Sequence, residues 1–152
     1  MNNIKYLIYF FLIINLNASK IAVATKVTGL VEIMPAGKKD FSKLKPGTIL
    51  SDGDKVRTDG SGFAAIIFID DKSILKLKGN SEAVIAGKRT SASISKKINM
   101  DSGTLRATVT KQNVDFIIQT PTSVASVKGT DFWLLSDPIS GDEIIGLEGI
   151  IT

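Results

Sequence analysis

The sequence predicts an all-β fold, specifically a jelly-roll-like β-sandwich of short strands, with a short β-solenoid as the alternative. Three observations carry that prediction. From Ile21 onward the apolar residues come in runs of about five to seven, and nowhere do they keep the 3.6-residue period of a helix over three turns. The intervals are filled by Gly, Asp, Ser, Lys and Pro, the residues that make turns. Closely spaced strands with explicit turns build sandwiches, jelly rolls or solenoids. Gly29, Gly103 and Gly149 each precede strand-like residues, but at unequal intervals, which places the sandwich ahead of a strict repeat.

The chain opens with one cation, Lys5, then an apolar run over residues 6–16 (YLIYFFLIINL), then the small polar stretch Asn17, Ala18, Ser19. That order is the pattern of a secretory signal peptide, expected over residues 1–19. The run is shorter than the roughly 20 apolar residues that cross a bilayer, so no stable membrane span is expected once it is cleaved. Cleavage can fall after Ala18 or Ser19, or after Ala24, where Ala22 and Ala24 make a small-x-small pattern. The earlier position is favoured because residues 20–34 already read as the first strand. An all-β domain is then expected over residues 20–152, periplasmic or secreted.

Along that domain the strands are expected at residues 21–34, 55–58, 62–69, 73–77, 82–85, 91–100, 104–110, 114–120, 123–127, 131–136 and 143–147. Their turns are Pro46-Gly47, Asp52-Gly53, Asp59-Gly60, Asp70-Asp71, Gly79-Asn80, Gly87, Ser102-Gly103, Pro121, Gly129, Pro138 and Gly141. The strand FAAIIFI, residues 63–69, is apolar on both faces and should lie centrally. In the next, Leu75 and Leu77 alternate with Lys76 and Lys78, giving one packed face and one wet face.

Composition removes whole classes of chemistry. The 152 residues contain no histidine and no cysteine. Imidazole-based triads, His-ligated zinc, thiolate nucleophiles and disulfides are therefore excluded. The formal charge of +4 comes from scattered lysines with few arginines and no aromatic interleaving, so nucleic acid is not an expected partner.

The order of the turn and core signals is more specific than any one of them. Gly29-Leu30-Val31 opens a G-x-V strand, and Leu44, Gly47, Leu50, Gly53, Asp54, Val56 and Thr58 fit the pattern L-x-x-G-x-x-L-x-x-G-D-x-V/I-x-T. Gly60-Ser61-Gly62-Phe63-Ala64 and Asp71-Lys72-Ser73 bracket a hairpin. Gly103-Thr104-Leu105, residues 116–121 (FIIQTP), residues 127–132 (VKGTDF) and Glu148-Gly149-Ile150 follow. In this order they resemble the FecR domain family. Lysine stands at Lys72 where the family usually has glycine, and at Lys128 where it usually has arginine. Lysine keeps the charge but loses the planar five-donor fork.

The resemblance implies a non-enzymatic module of the bacterial cell envelope. FecR proteins pass a signal from an outer-membrane transporter across the periplasm to a cytoplasmic sigma factor. No sigma-binding region precedes the apolar segment here, and little follows Glu148-Gly149, so a free-standing protein-binding or signalling module is expected rather than a complete sigma-factor regulator. The alternative is a structural protein that binds glycan or peptidoglycan. The expected partner is another envelope protein, with an anionic glycan as the second choice, and no cofactor is expected. The signature positions Gly47, Gly53, Asp54, Thr58, Gly129 and Thr130 read as structural: glycines for turns, Asp54 and Thr58 for hydrogen bonds to turn backbone.

Individual residues yield no catalytic centre. The loop Ser51-Asp52-Gly53-Asp54 fails the EF-hand pattern, because Val56 sits where an oxygen ligand belongs. Asp70 and Asp71 read as a turn whose carboxylates point to different sides. Ser73, Ser123 and Ser126 have no distinguishing oxyanion-type turn. Lys38, Lys39, Lys43 and Lys45, and likewise Lys88, Arg89, Lys96 and Lys97, read as solvated surface, with docking of an anionic partner as the alternative. Lys128 and Trp133 are the candidate partner contacts. Trp133 is expected in the core, and becomes the best single contact residue if it faces outward.

Overall fold

The computed structural model describes residues 18–149 and 151. Among them are thirteen strands and no helix: β1 (Lys20–Thr28), β2 (Val31–Met34), β3 (Ser42–Lys43), β4 (Ile49–Ser51), β5 (Asp54–Thr58), β6 (Phe63–Phe68), β7 (Ile74–Leu77), β8 (Glu82–Arg89), β9 (Ile94–Thr108), β10 (Phe116–Gln119), β11 (Val124–Val127), β12 (Asp131–Asp137) and β13 (Gly141–Glu148). The fold is all-β, as expected, and its sheet curls into two facing wings. The expected signal peptide lies outside the described residues.

Strand β9 belongs to both wings. Its first half pairs with β8 and, in parallel, with β10; its second half pairs with β7 and β12. One wing runs β4-β1-β6-β7-β9-β12-β13, the other β3-β2-β5-β8-β9-β10-β11. Every pairing except β9–β10 is antiparallel.

The switch between wings is visible in β9's own alternation. Ile94, Lys96, Ile98 and Met100 point inward, and then Leu105 and Ala107 do, so the inward parity changes between residues 100 and 105. Gly103 makes this possible. Its φ is +106°, and a Cβ there would lie 2.4 Å from Ser81 Cα and 2.6 Å from the Asn80 carbonyl oxygen. The Ser81 hydroxyl fixes the corner, accepting from Thr104 N at 2.9 Å and reaching Thr104 O at 3.2 Å. The expected turn at Ser102-Gly103 is thus a bend within one strand.

Gly29 acts in the opposite sense. At φ +65°, with Ser61 O only 2.5 Å from where its Cβ would be, it divides the expected strand at residues 21–34 into β1 and β2. Strands β3 and β4 were not anticipated.

Both wings contribute to one core. Ile21, Val31, Leu50, Val56, Ile66, Phe68, Leu75, Leu77, Ile85, Ile98, Leu105, Phe116 and Phe132 are buried together, and Phe68 meets Phe116 edge-on at 5.8 Å. Strand β6 lies between β1 and β7 as its composition implied: Ala64, Ala65, Ile66 and Phe68 are buried and Phe63 and Ile67 half-buried. Lys76 sits between buried Leu75 and Leu77 on the opposite face.

Candidate interaction surface

Alternation along β12 sorts its aromatics. Phe132, Leu134 and Ser136 are buried, whereas Trp133 is half-buried and Leu135 exposed. The expectation of a core tryptophan is corrected: Phe132 takes the core position, and period-two geometry sends its neighbour Trp133 outward.

A continuous row crosses that outer face through paired strands: Lys26, Ala65, Lys76, Arg106, Trp133, Ile145. Lys78 Nζ lies 4.3 Å from the Trp133 ring centroid and Arg106 Cζ 5.6 Å from it, both within cation–π range. Arg106 also forks onto Asp131, with Nε–Oδ1 3.0 Å and Nη2–Oδ2 2.7 Å. That guanidinium holds the Asp131 carboxyl below the usual carboxylate range, and Asp131 in turn raises Arg106.

Beyond Trp133 lies the β12–β13 hairpin. Large exposed hydrophobics among the described residues number eight, and five of them, Leu135, Ile139, Ile144, Ile145 and Leu147, are on this hairpin. Its anchor is Asp142, whose Oδ2 accepts from the hydroxyls of Thr120 and Thr122, the latter at 2.7 Å. Burial pushes that carboxyl up, but hydroxyl hydrogen bonds from Ser123, Thr120 and Thr122 outweigh it and hold the pKa at about 2.

Lys128 stands exposed after β11, next to Gly129 at φ +68°. Its side chain makes no hydrogen bond or ion pair among the described residues, and it is not one of the two cations, Lys78 and Arg106, that flank Trp133. Trp133 and Lys128 are therefore not joined into one site.

Among the signature residues, Asp54 and Thr58 bond turn backbone, and Gly47 and Gly53 sit in turns. Asp54 is buried at the start of β5, where its carboxylate accepts from Ala36 N (2.9 Å) and Ser51 N (2.8 Å). The buried Thr58 hydroxyl donates to Lys78 O at 2.6 Å and accepts from Ser81 N at 2.9 Å. Gly47 and Gly53 adopt φ of +85° and +86°. Thr130 is buried and its carbonyl accepts from Val109 N at 2.8 Å. Asp52 accepts from Gly87 N at 2.9 Å, so the acids of the 51–54 loop point at separate backbone amides.

Two readings of the sequence are corrected together. Lys96 is not solvated surface but has a fully buried side chain, and Asp70 and Asp71 do not diverge but converge on it. Lys96 Nζ lies 2.9 Å from Asp70 Oδ2, 2.8 Å from Asp71 Oδ2, 2.9 Å from Ile94 O and 3.2 Å from Gln112 Oε1, with the Phe68 ring 5.2 Å away. Burial pushes Asp70 up, but Lys96 and the Ile94 amide outweigh it and leave its carboxyl below the ordinary value. The one signal in the sequence was parity: Lys96 falls in phase with Ile94 and Ile98 on β9.

A family model described as FecR protein matches residues 54–144, more than half of the chain. The chain belongs to the FecR family. The matched span starts at Asp54 and includes Thr58, Lys96, Gly129, Thr130 and Trp133; Gly29, Gly47, Gly53 and Glu148-Gly149 lie outside it. Comparison with curated proteins and with solved structures found no match. FecR membership makes this a signalling-related module of the cell envelope. No helix among the described residues is long and apolar enough to cross a membrane.

Proposed function

We propose that this FecR-family chain is an exported, non-enzymatic module that docks another protein of the cell envelope as part of a signalling event, through the surface around Trp133 and the β12–β13 hairpin. The observation that carries the reading is the gathering of exposed apolar side chains on that one hairpin. Apolar patches on an otherwise charged surface mark sites of protein contact. Next to it stands Trp133, of the residue type that most often anchors interfaces.

The placement of the charged groups supports a binding role over a catalytic one. Asp54, Asp70, Asp71, Asp131 and Asp142 are each committed to backbone amides, cations or hydroxyls. Export is supported by the order of cation, apolar run and small residues in residues 1–19. Cleavage after Ser19 would leave β1 whole, whereas cleavage after Ala24 would remove buried Ile21, Ala22 and Ala24 from the core.

One observation favours a second reading, binding of an anionic glycan. Lys26, Lys76 and Lys78 lie on the same face as Trp133, and an aromatic ring framed by cations suits an acidic sugar polymer.

A crosslinking pull-down from intact envelopes with the chain beginning at Lys20 separates the two. Recovery of one membrane protein, lost in a folded Trp133→Ala variant, is the expected result. Recovery of murein alone would replace the protein-docking reading with the glycan one. Loss of capture on Lys128→Ala but not on Trp133→Ala would move the contact to the β11–β12 loop.

A further inference from the structure

We propose that β13 is the docking edge itself, and that its occupant is an extended segment of the partner protein in which apolar side chains alternate with Lys or Arg. This rests on the protein-docking reading above and names the surface and the chemistry of what it binds.

Among the described residues β13 pairs with β12 and with no other strand, so one row of its backbone donors and acceptors is open. Natural sheets blunt such an edge with charged side chains, above all lysine, with proline, with bulges or with a covering loop. The charges on β13 are acidic only, Asp142, Glu143 and Glu148, so they repel another acidic strand and leave a basic one free to add. Here the edge is eight residues long and carries no lysine, arginine or proline. Its apolar side chains stand on both faces. Ile144 pairs with inward Leu134 and Ile145 with outward Trp133, and they are 40% and 44% exposed, with Leu147 at 52%. An added strand with alternating side chains would extend the sheet and cover these residues.

Charge decides what kind of strand fits. All 19 lysines and arginines of the chain occur at or before Lys128, whereas five of its 15 acids follow it. Asp142 is already held by Thr120 and Thr122, and Asp137 accepts from the amides of Ile139 and Ser140. Glu143 and Glu148 are exposed and make no ion pair among the described residues. Pairing β13 with β13 of a second copy would bring Asp142, Glu143 and Glu148 of both strands together with no cation between them. A basic strand neutralises them, and cross-strand opposite charges stabilise where like charges repel.

The probe is a seven-residue blocked peptide alternating Lys and Val, beside its counterpart with Glu in place of Lys. The readouts are amide hydrogen exchange and the fluorescence of Trp133, the only tryptophan. The Lys peptide is expected to slow exchange in β13 and to shift the Trp133 emission. Glu143→Lys with Glu148→Lys, both on exposed positions, should weaken it at least tenfold, and the Glu peptide should not bind. No binding of the Lys peptide, or protection mapped away from β13, overturns the proposal. So does a dimer of the protein alone that protects β13 in sedimentation and exchange, which would assign the edge to a second copy. A photocrosslinking residue at position 145, and another at position 76, in the same row as Trp133 on the outer face, separates this from the underlying reading. Protein crosslinks in intact envelopes from 76 and none from 145 remove β13 and leave docking at the Trp133 surface standing; crosslinks from neither remove protein docking as well.

Discussion

Lys96 and Asp71 meet at 2.8 Å, although Asp71 lies in the turn between β6 and β7 and Lys96 on β9, and the lysine side chain has no exposed surface. An ammonium in a core is tolerated only where its donors and charge are answered, and here two carboxylates, a carbonyl and an amide oxygen answer them. The cluster fastens the tip of the β6–β7 hairpin to the first half of β9 and so ties one wing to the other.

Removing only the cation should be severe. Lys96→Met leaves two nearly buried carboxylates facing each other, and a loss of about 3–5 kcal/mol is expected, read as a lowered urea midpoint. Adding Asp70→Asn and Asp71→Asn to Lys96→Met should recover a large part of that loss. If the triple variant is no more stable than Lys96→Met, uncompensated charge is not the cause.

Thr58 should tolerate serine and reject valine. Valine keeps the shape but leaves Lys78 O and Ser81 N without the hydroxyl that serves both. The expected loss is about 1–3 kcal/mol for Thr58→Val, and under about 1 kcal/mol for Thr58→Ser. Equal losses in thermal unfolding would show that the methyl group matters and the hydrogen bonds do not.

Gly103→Ala tests the bend in β9. The new Cβ would strike the Ser81 backbone in a conformation that L-residues rarely adopt. A destabilisation of about 2–4 kcal/mol follows from strain and overpacking combined. Gly141→Ala is the control, since φ there is also positive, at +94°, but no atom lies within 4 Å of the new methyl; its loss should be clearly smaller.

Asp142 gives the fold an acid limb. Its folded pKa of about 2 lies below the ordinary carboxylate value, so its contribution is fully present above about pH 4 and is lost as pH falls toward 2. Allowing for solvent screening at this half-covered position, that contribution is about 1 kcal/mol. Asp142→Asn should therefore be less stable than the parent at neutral pH and should flatten the fall between pH 4 and 2. A stability curve of unchanged slope would dissociate Asp142 from the acid limb.

The fold class was legible because period-two patterning and turn residues are local, and most strands lie where the alternation placed them. What escaped has non-local causes. Strands β3 and β4 are short and exist because β2 and β1 offer them an edge. Gly29 and Gly103 look alike as turn formers, yet one separates two strands and the other bends one, a difference set by Ser61 and Ser81 across the fold. The buried Lys96 was hidden because a lysine in a serine-rich, charged stretch has the composition of surface, and only its phase with Ile94 and Ile98 shows otherwise. Trp133 could be singled out by type, but its face was decided by Phe132 competing for the same core. The acidic bias of β13 was readable from the sequence, whereas its open edge was not.

Sharing β9 between the wings also sets an order of assembly. Strands β7 and β8 precede β9 in the chain and take it as a partner, and β10 and β12 follow it. A chain made from its N-terminus has therefore completed eight strands before the one that closes either wing exists. Until residue 102 is available β8, and until residue 108 is available β7, keeps an apolar face and unpaired backbone exposed. Contacts this distant along the chain form slowly, so the half-made molecule is the form most in need of a chaperone, and stalling it before β9 is where self-aggregation should begin.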